Sequence, residues 1–214
     1  MKTLLLLSSL TMFPAALTLS GEVPLLERRS AGGQNLDVRD IASQARISLR
    51  EAIQKSLVAQ PGRAVEAELE GERTEHGVDV FFEVLVLDGE GELVEIRLSP
   101  VDGKVLSREE AEGDEDEIPE FASALRHGER NLEQLVAAAE AFVKGVPVKV
   151  SLEFEDRSPL AEVAFVNGRN VIEVEVEGRA GHLVGLAMAA EEQEKLGEGA
   201  ADEDEAPAAR SEER

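Results

Sequence analysis

Between Ser48 and Leu106 the spacing of apolar residues changes once, from helical to alternating. Leu49, Ala52, Ile53, Ser56 and Leu57 fall on one face at helical spacing, with Ser56 the weak member. Ser48-Leu49-Arg50-Glu51 opens that helix with the spacing of a capping box: Ser48 accepts from the Glu51 amide while the Glu51 side chain reaches back to the Ser48 amide. Pro61-Gly62 ends it, because proline has no amide to donate and pushes the preceding residue out of the helical region. Val65, Ala67 and Leu69 then alternate with Glu66, Glu68 and Glu70, the pattern of a strand with one buried and one wet face. Val80, Phe82, Val84 and Val86 supply a second strand, whose other face (Phe81, Leu85, Leu87) is more apolar than usual. Asp88-Gly89-Glu90-Gly91 is a hairpin signal, Val94, Ile96 and Leu98 form a third strand, and Val101-Asp102-Gly103-Lys104-Val105-Leu106 closes the unit. One helix on a three-stranded antiparallel sheet buries a shared apolar layer, where a bare hairpin would not.

A second, diverged copy is expected from Asn131 to Leu186. At a constant offset Ser48 falls on Asn131, Leu49 on Leu132, Glu51 on Gln134, Ile53 on Val136, Gly62 on Gly145, Val65 on Val148 and Leu69 on Leu152. The offset shortens only at the loops, placing Asp88-Gly89 on Asn167-Gly168, Glu95 on Glu173 and Gly103 on Gly181, as expected when loops absorb length changes. The predicted fold class is α+β, two repeats, each one helix packed on a three-stranded antiparallel sheet. The expected divisions are a signal peptide over 1–20, a flexible lead over 21–46, a first module over 47–108, an acidic linker with a short helix over 109–130, a second module over 131–190 and a disordered acidic tail over 191–214. If strand order follows the sequence, the first sheet has Val65 to Glu70 and Leu93 to Leu98 as its edges. The less charged Leu93 to Leu98 is then the expected docking edge.

Composition adds location and excludes several functions. Met1-Lys2 precedes an apolar run from Leu4 to Leu19, interrupted by Pro14, with Thr18 and Ser20 placed for cleavage before Gly21. The run is shorter than the ~20 residues of a membrane span, so a cleaved signal peptide is expected, and an uncleaved anchor is the alternative. Without cysteine there is no disulfide, thiol chemistry or lipid-modified amino terminus, and each module relies on core burial alone. The net charge is −23, of which Glu109 to Glu120 carries −8 and Glu191 to Arg214 carries −7. Most of the acidity is therefore assigned to linker and tail. Those runs read as solvated, self-repelling chain, with weak calcium capture as the alternative. No loop has the ligand spacing of a calcium-binding hand. The negative charge argues against nucleic acid and anionic membrane as partners. The absence of Tyr and Trp removes the commonest interface anchors.

Catalytic, cofactor-binding and metal-ligating residues are all expected to be none. His76, His127 and His182 are the three histidines, none of them in a metal-binding motif. No nucleophile elbow, phosphate-cradling loop or dinucleotide fingerprint is present. Glu66, Glu68, Glu70 and Glu72 are regularly spaced, but alternation puts them on one wet strand face, with no environment that would split their pKa values.

The run from Ile47-Ser48-Leu49-Arg50-Glu51-Ala52, through Gln60-Pro61-Gly62 and Val65 to Glu70, to Leu98-Ser99-Pro100-Val101-Asp102-Gly103-Lys104-Val105-Leu106 resembles a PepSY domain. That family is named for peptidase propeptides and a sporulation protein (the YpeB-like domain). Its members open on I-S-L-x-x-A and close on D-x-x-T/D-G-x-V/I-L. Here Ser99 stands where the family often has Asp. The second copy resembles it weakly, with Glu177-Gly178-Arg179-Ala180-Gly181 in place of the closing motif. The resemblance implies a secreted or periplasmic module of helix on antiparallel sheet that binds, and inhibits or regulates, an extracytoplasmic peptidase or another envelope protein. No peptidase domain follows in this sequence, so inhibition is expected in trans. The alternative is a structural or ligand-sensing cell-envelope protein with no peptidase partner. Neither role calls for an enzyme or a cofactor.

Overall fold

The alternation that marks single strands also decides how they assemble. The computed structural model describes residues 36–111 and 117–188. Its strands are β1 (Arg63–Thr74), β2 (Gly77–Leu87), β3 (Leu93–Leu98), β4 (Val105–Glu110), β5 (Val146–Glu155), β6 (Ser158–Asn167), β7 (Asn170–Glu177) and β8 (Leu183–Met188). They form one eight-stranded antiparallel sheet in the order β4-β3-β2-β1-β5-β6-β7-β8. Four helices pack on one face: α1 (Val38–Ile41, continued by a 3-10 turn Ala42–Gln44), α2 (Leu49–Ala59), α3 (Ile118–His127) and α4 (Leu132–Ala139). The architecture is α+β, with helices on strands.

Burial follows the two periodicities. Leu49, Ala52, Ile53 and Ser56 of α2 are buried, as are Val65, Ala67 and Leu69 of β1. On α4, Leu132, Leu135, Val136 and Ala139 are buried, and Val148, Val150 and Leu152 of β5 with them. All but Ser56, which is buried as a polar residue, belong to one continuous core cluster, with Phe82 and Phe165 its largest fully buried side chains. A single core across both halves relieves the shortage of buried surface that a module of ~60 residues would have alone.

The halves share their element order and their local devices. Ser48 and Asn131 each cap a helix through a reciprocal capping box, with Glu51 and Gln134 as the returning side chains. Arg46 and Ile47 both donate their backbone N–H to the Pro100 carbonyl, and Glu129 and Arg130 do the same to Gly178. Gly103 (φ +70°) donates to the Ser99 carbonyl, and Gly181 (φ +72°) donates to that of Glu177. Both glycines occupy the left-handed region that disfavours a Cβ. Register shifts fall at matching places, between Ala64 and Glu66 against Pro147 and Lys149, and between Arg97 and Leu98 against Glu175 and Val176.

Three features differ from the sequence reading. Each half has four strands rather than three, because Val105–Glu110 and Leu183–Met188 turn back at Gly103 and Gly181 to pair with β3 and β7. Ser107-Arg108-Glu109-Glu110 shows no apolar alternation, so its strand character comes only from that pairing. Residues 36–46 are structured rather than a flexible lead. Leu36 donates its N–H to the Gly71 carbonyl at 3.0 Å, and Val38, Ile41 and Ala42 are buried. Gly71 makes room for this approach, since a Cβ there would lie 3.2 Å from two carbon atoms of Ile41. Neither expected edge is an edge: β1 pairs with β2 and β5, and β3 pairs with β2 and β4. The short linker helix at Pro119 is α3, whose Phe121 and Ala124 are buried. The expected signal peptide, the lead before residue 36, the centre of the acidic linker (112–116) and the tail lie outside the described residues.

Candidate functional site on the acidic face of the sheet

Strand pairing carries the glutamates of β1 into a band across the face opposite the helices. Glu68 pairs with Glu83 of β2 and with Lys149 of β5, and Glu66 pairs with Leu85 and Ser151. Beyond Glu83 lies Arg97, and beyond Leu85 lies Glu95, both on β3. On the other side, Ser151 leads to Glu162 of β6 and then to Glu175 of β7, and Glu173 pairs with Ala164. Because paired residues project to the same side, these carboxylates share one face.

Two cations organise the band. Lys149 has a side chain only 3% exposed, and its Nζ lies 3.3 Å from Glu66 Oε1 and in direct contact with Glu68. Ser151 Oγ donates to the other oxygen of Glu66 at 3.1 Å. Arg97 donates from Nε to Glu95 at 2.7 Å and pairs with Glu83 at 3.2 Å and Glu72 at 3.5 Å. Its guanidinium lies 4.4 Å from the Phe81 ring centroid, a cation–π arrangement over a buried aromatic.

The face is therefore not the uniformly wet row expected from alternation. Burial would favour a neutral amine at Lys149, but attraction to Glu66 and Glu68 outweighs it and raises the pKa. Burial, then repulsion from Glu68, pushes the Glu70 carboxyl up to about 7. Burial with repulsion from Glu70 and Glu95 pushes Glu83 up to about 8. Burial with repulsion from Glu153, Glu173 and Glu175 pushes Glu162 up to about 8. Desolvation and like charge both disfavour ionisation, and two cations do not neutralise so many carboxylates. Chemically, the face can exchange protons near neutral pH and attract positive charge. Among the described residues, no group of three or more His, Asp or Glu converges to hold a metal ion.

The histidines lie apart from this band. His76 is exposed in the β1–β2 hairpin, 3.9 Å from Glu75. His127 stacks on Phe154 at 4.9 Å, and its Nδ1 lies 2.9 Å from the Ser123 carbonyl. His182 sits in the turn before β8, where its carbonyl accepts from Glu177. The sequence reading missed the perturbed carboxylates of Glu70, Glu83 and Glu162. A usable signal was Lys149, a lone charge inside the apolar run Val146-Pro147-Val148-Lys149-Val150, whose buried ammonium needs acidic partners from elsewhere.

No helix among the described residues is long and apolar enough to cross a membrane. Residues 46–109 match the family model described as peptidase propeptide and YPEB domain, PepSY. No curated protein matches the chain in sequence. A crystal structure of a candidate lipoprotein from Clostridium difficile 630 is similar at 15% identity and a TM-score of 0.38, covering 64% of this chain and 88% of its own. The matched residues hold the capped helix α2, the Pro61-Gly62 step and the left-handed turn at Gly103. The match to the peptidase propeptide and YPEB domain model thus falls on the first helix-and-sheet unit, residues 46–109.

Proposed function

We propose that this protein is a non-catalytic, secreted or periplasmic module that binds an extracytoplasmic peptidase, or another envelope protein, and inhibits or regulates it. The observation that carries the reading is the match of residues 46–109 to a domain described from peptidase propeptides. We further take residues 131–188 as a second, diverged copy. The repeated caps, carbonyl contacts, left-handed glycines and register shifts support a duplication, because independent meanders have no reason to place each device at the same step. The perturbed carboxylates sit on a sheet face, and the reading assigns them to recognition and stability rather than to acid–base catalysis.

The test is capture followed by inhibition. The chain beginning at Gly21 is immobilised, periplasmic extract is passed over it, and retained peptidases are identified, purified and assayed with and without the protein. A retained peptidase whose activity falls at stoichiometric protein is the expected result. If no extracytoplasmic peptidase is retained or inhibited, the peptidase reading fails, and the envelope ligand-sensing role takes its place.

A further inference from the structure

Among the described residues the sheet ends in β4 on one side and β8 on the other, and each presents a row of outward backbone groups. The halves guard these edges differently. Counting from the matching turns at Gly103 and Gly181, Arg108, Glu109 and Glu110 of β4 correspond to Leu186, Ala187 and Met188 of β8. Charges on an edge strand deter pairing with another chain. β8, Leu183-Val184-Gly185-Leu186-Ala187-Met188, carries no charge and no proline.

The two faces of β8 also differ. Leu183, Leu186 and Met188 pair with Val176, Val174 and Ile172 on the helix-covered side, and are 43%, 49% and 62% exposed. They form an apolar ledge that stops at the edge. Gly185 and Ala187 pair with Glu175 and Glu173 on the acidic side. The Glu175 side chain lies across Gly185, where an added Cβ would come 2.5 Å from its Oε2. Acidic charge thus reaches the edge over residues with almost no side chain of their own.

The geometry points to β8 as the docking edge for an extended peptide in which basic and apolar residues alternate. Such a peptide would add a ninth strand. Its backbone would pair with β8, its apolar residues would extend the ledge of Leu186 and Met188, and its lysines or arginines would face Glu175 and Glu173. A second copy of this chain is a poorer occupant, since pairing β8 with itself sets two acidic faces side by side on chains of net charge −23. The inference rests on reading the chain as a protein-binding module, and it specifies where and what it binds.

The experiment uses the full chain and a labelled twelve-residue probe peptide (about the length of a long strand) of alternating valine and lysine. Two controls accompany it: the same residues in two blocks, and alternating valine and glutamate. Fluorescence anisotropy near physiological salt is expected to show saturable binding of the alternating valine–lysine peptide alone, and bound peptide is expected to slow hydrogen exchange at β8 amides. Ala187→Lys and Leu186→Lys, each checked for folding by circular dichroism, are expected to weaken binding at least tenfold, whereas Leu106→Lys on β4 leaves it unchanged. Equal binding of the block peptide, β8 amides that exchange at their free rate, or a chain dimer dissolved by Ala187→Lys would each overturn the assignment. Retention of the same peptidase by wild type and Ala187→Lys would overturn the edge and leave the peptidase reading intact. Peptide binding at β8 without peptidase capture would do the reverse.

Discussion

Removing the Lys149 ammonium leaves Glu66 and Glu68 beside the β1–β5 seam without the cation that contacts both. Breaking a buried pair from one side costs about 3–5 kcal/mol, because the stranded charges keep their desolvation penalty. Lys149→Met is therefore expected to lower the melting temperature by roughly 10 °C at pH 7. The loss should shrink as pH falls, because burial already raises the pKa of the Glu68 carboxyl and favours its neutral form. Adding Glu66→Gln and Glu68→Gln to Lys149→Met should recover most of the stability, since neutral amides do not need the cation. Calorimetry of wild type, the single variant and the triple variant checks this, and a single variant as stable as wild type would show that the cluster contributes nothing net. The residue-scale lesson concerns partners: Glu66 and Glu68 are visible in the sequence, but the lysine between them is supplied by another strand.

At the scale of elements, the two capped helices offer a direct comparison. Ser48 accepts from the Glu51 amide at 3.2 Å and Asn131 from the Gln134 amide at 2.9 Å, each with the return bond in place. Loss of such a cap costs about 1 kcal/mol. Ser48→Ala and Asn131→Ala should each destabilise by that amount in urea, and the double variant by about their sum, because the caps share no partner. Both should lower the midpoint of one common transition. The reason is the β1–β5 seam, together with the Arg50 guanidinium of α2, which lies 3.2 Å from Glu133 and 3.4 Å from Glu140 at α4. Two separate transitions, each moved by only one substitution, would show that the halves fold independently.

At the scale of the molecule, the acidic face ties stability to pH. Glu70, Glu83 and Glu162 have pKa values of about 7, 8 and 8 in the folded protein, against an ordinary value of 4.5. Between those limits the folded chain holds protons that the unfolded chain has released. Stability is therefore greatest toward the acidic end of that window and falls as pH rises through 7 to 8. The melting temperature should be clearly higher at pH 5.5 than at pH 8.5. Glu83→Gln and Glu162→Gln should raise it at pH 8.5 and flatten the slope, as differential scanning fluorimetry would show. A melting temperature that instead rises with pH across this window would refute the assignment of raised pKa values.

The helix caps, the Pro61-Gly62 stop, the alternation of β1, β2 and β3 and the left-handed turn at Gly103 are local, and the sequence alone determines them. Each depends on residues within a few positions of one another, where propensity and periodicity act directly. The correspondence between the halves is legible for the same reason. What required tertiary structure were the features made by residues far apart. β4 is a strand only because it pairs with β3. β1 ceased to be an edge because β5 lies beside it, and that contact buried Lys149 among the glutamates. The face opposite the helices then changed from a solvated row into a strained acidic band, since burial and mutual repulsion depend on distance in space. The place of β8 at the edge of the described sheet follows likewise from the strand order, which no local pattern in Leu183 to Met188 can specify.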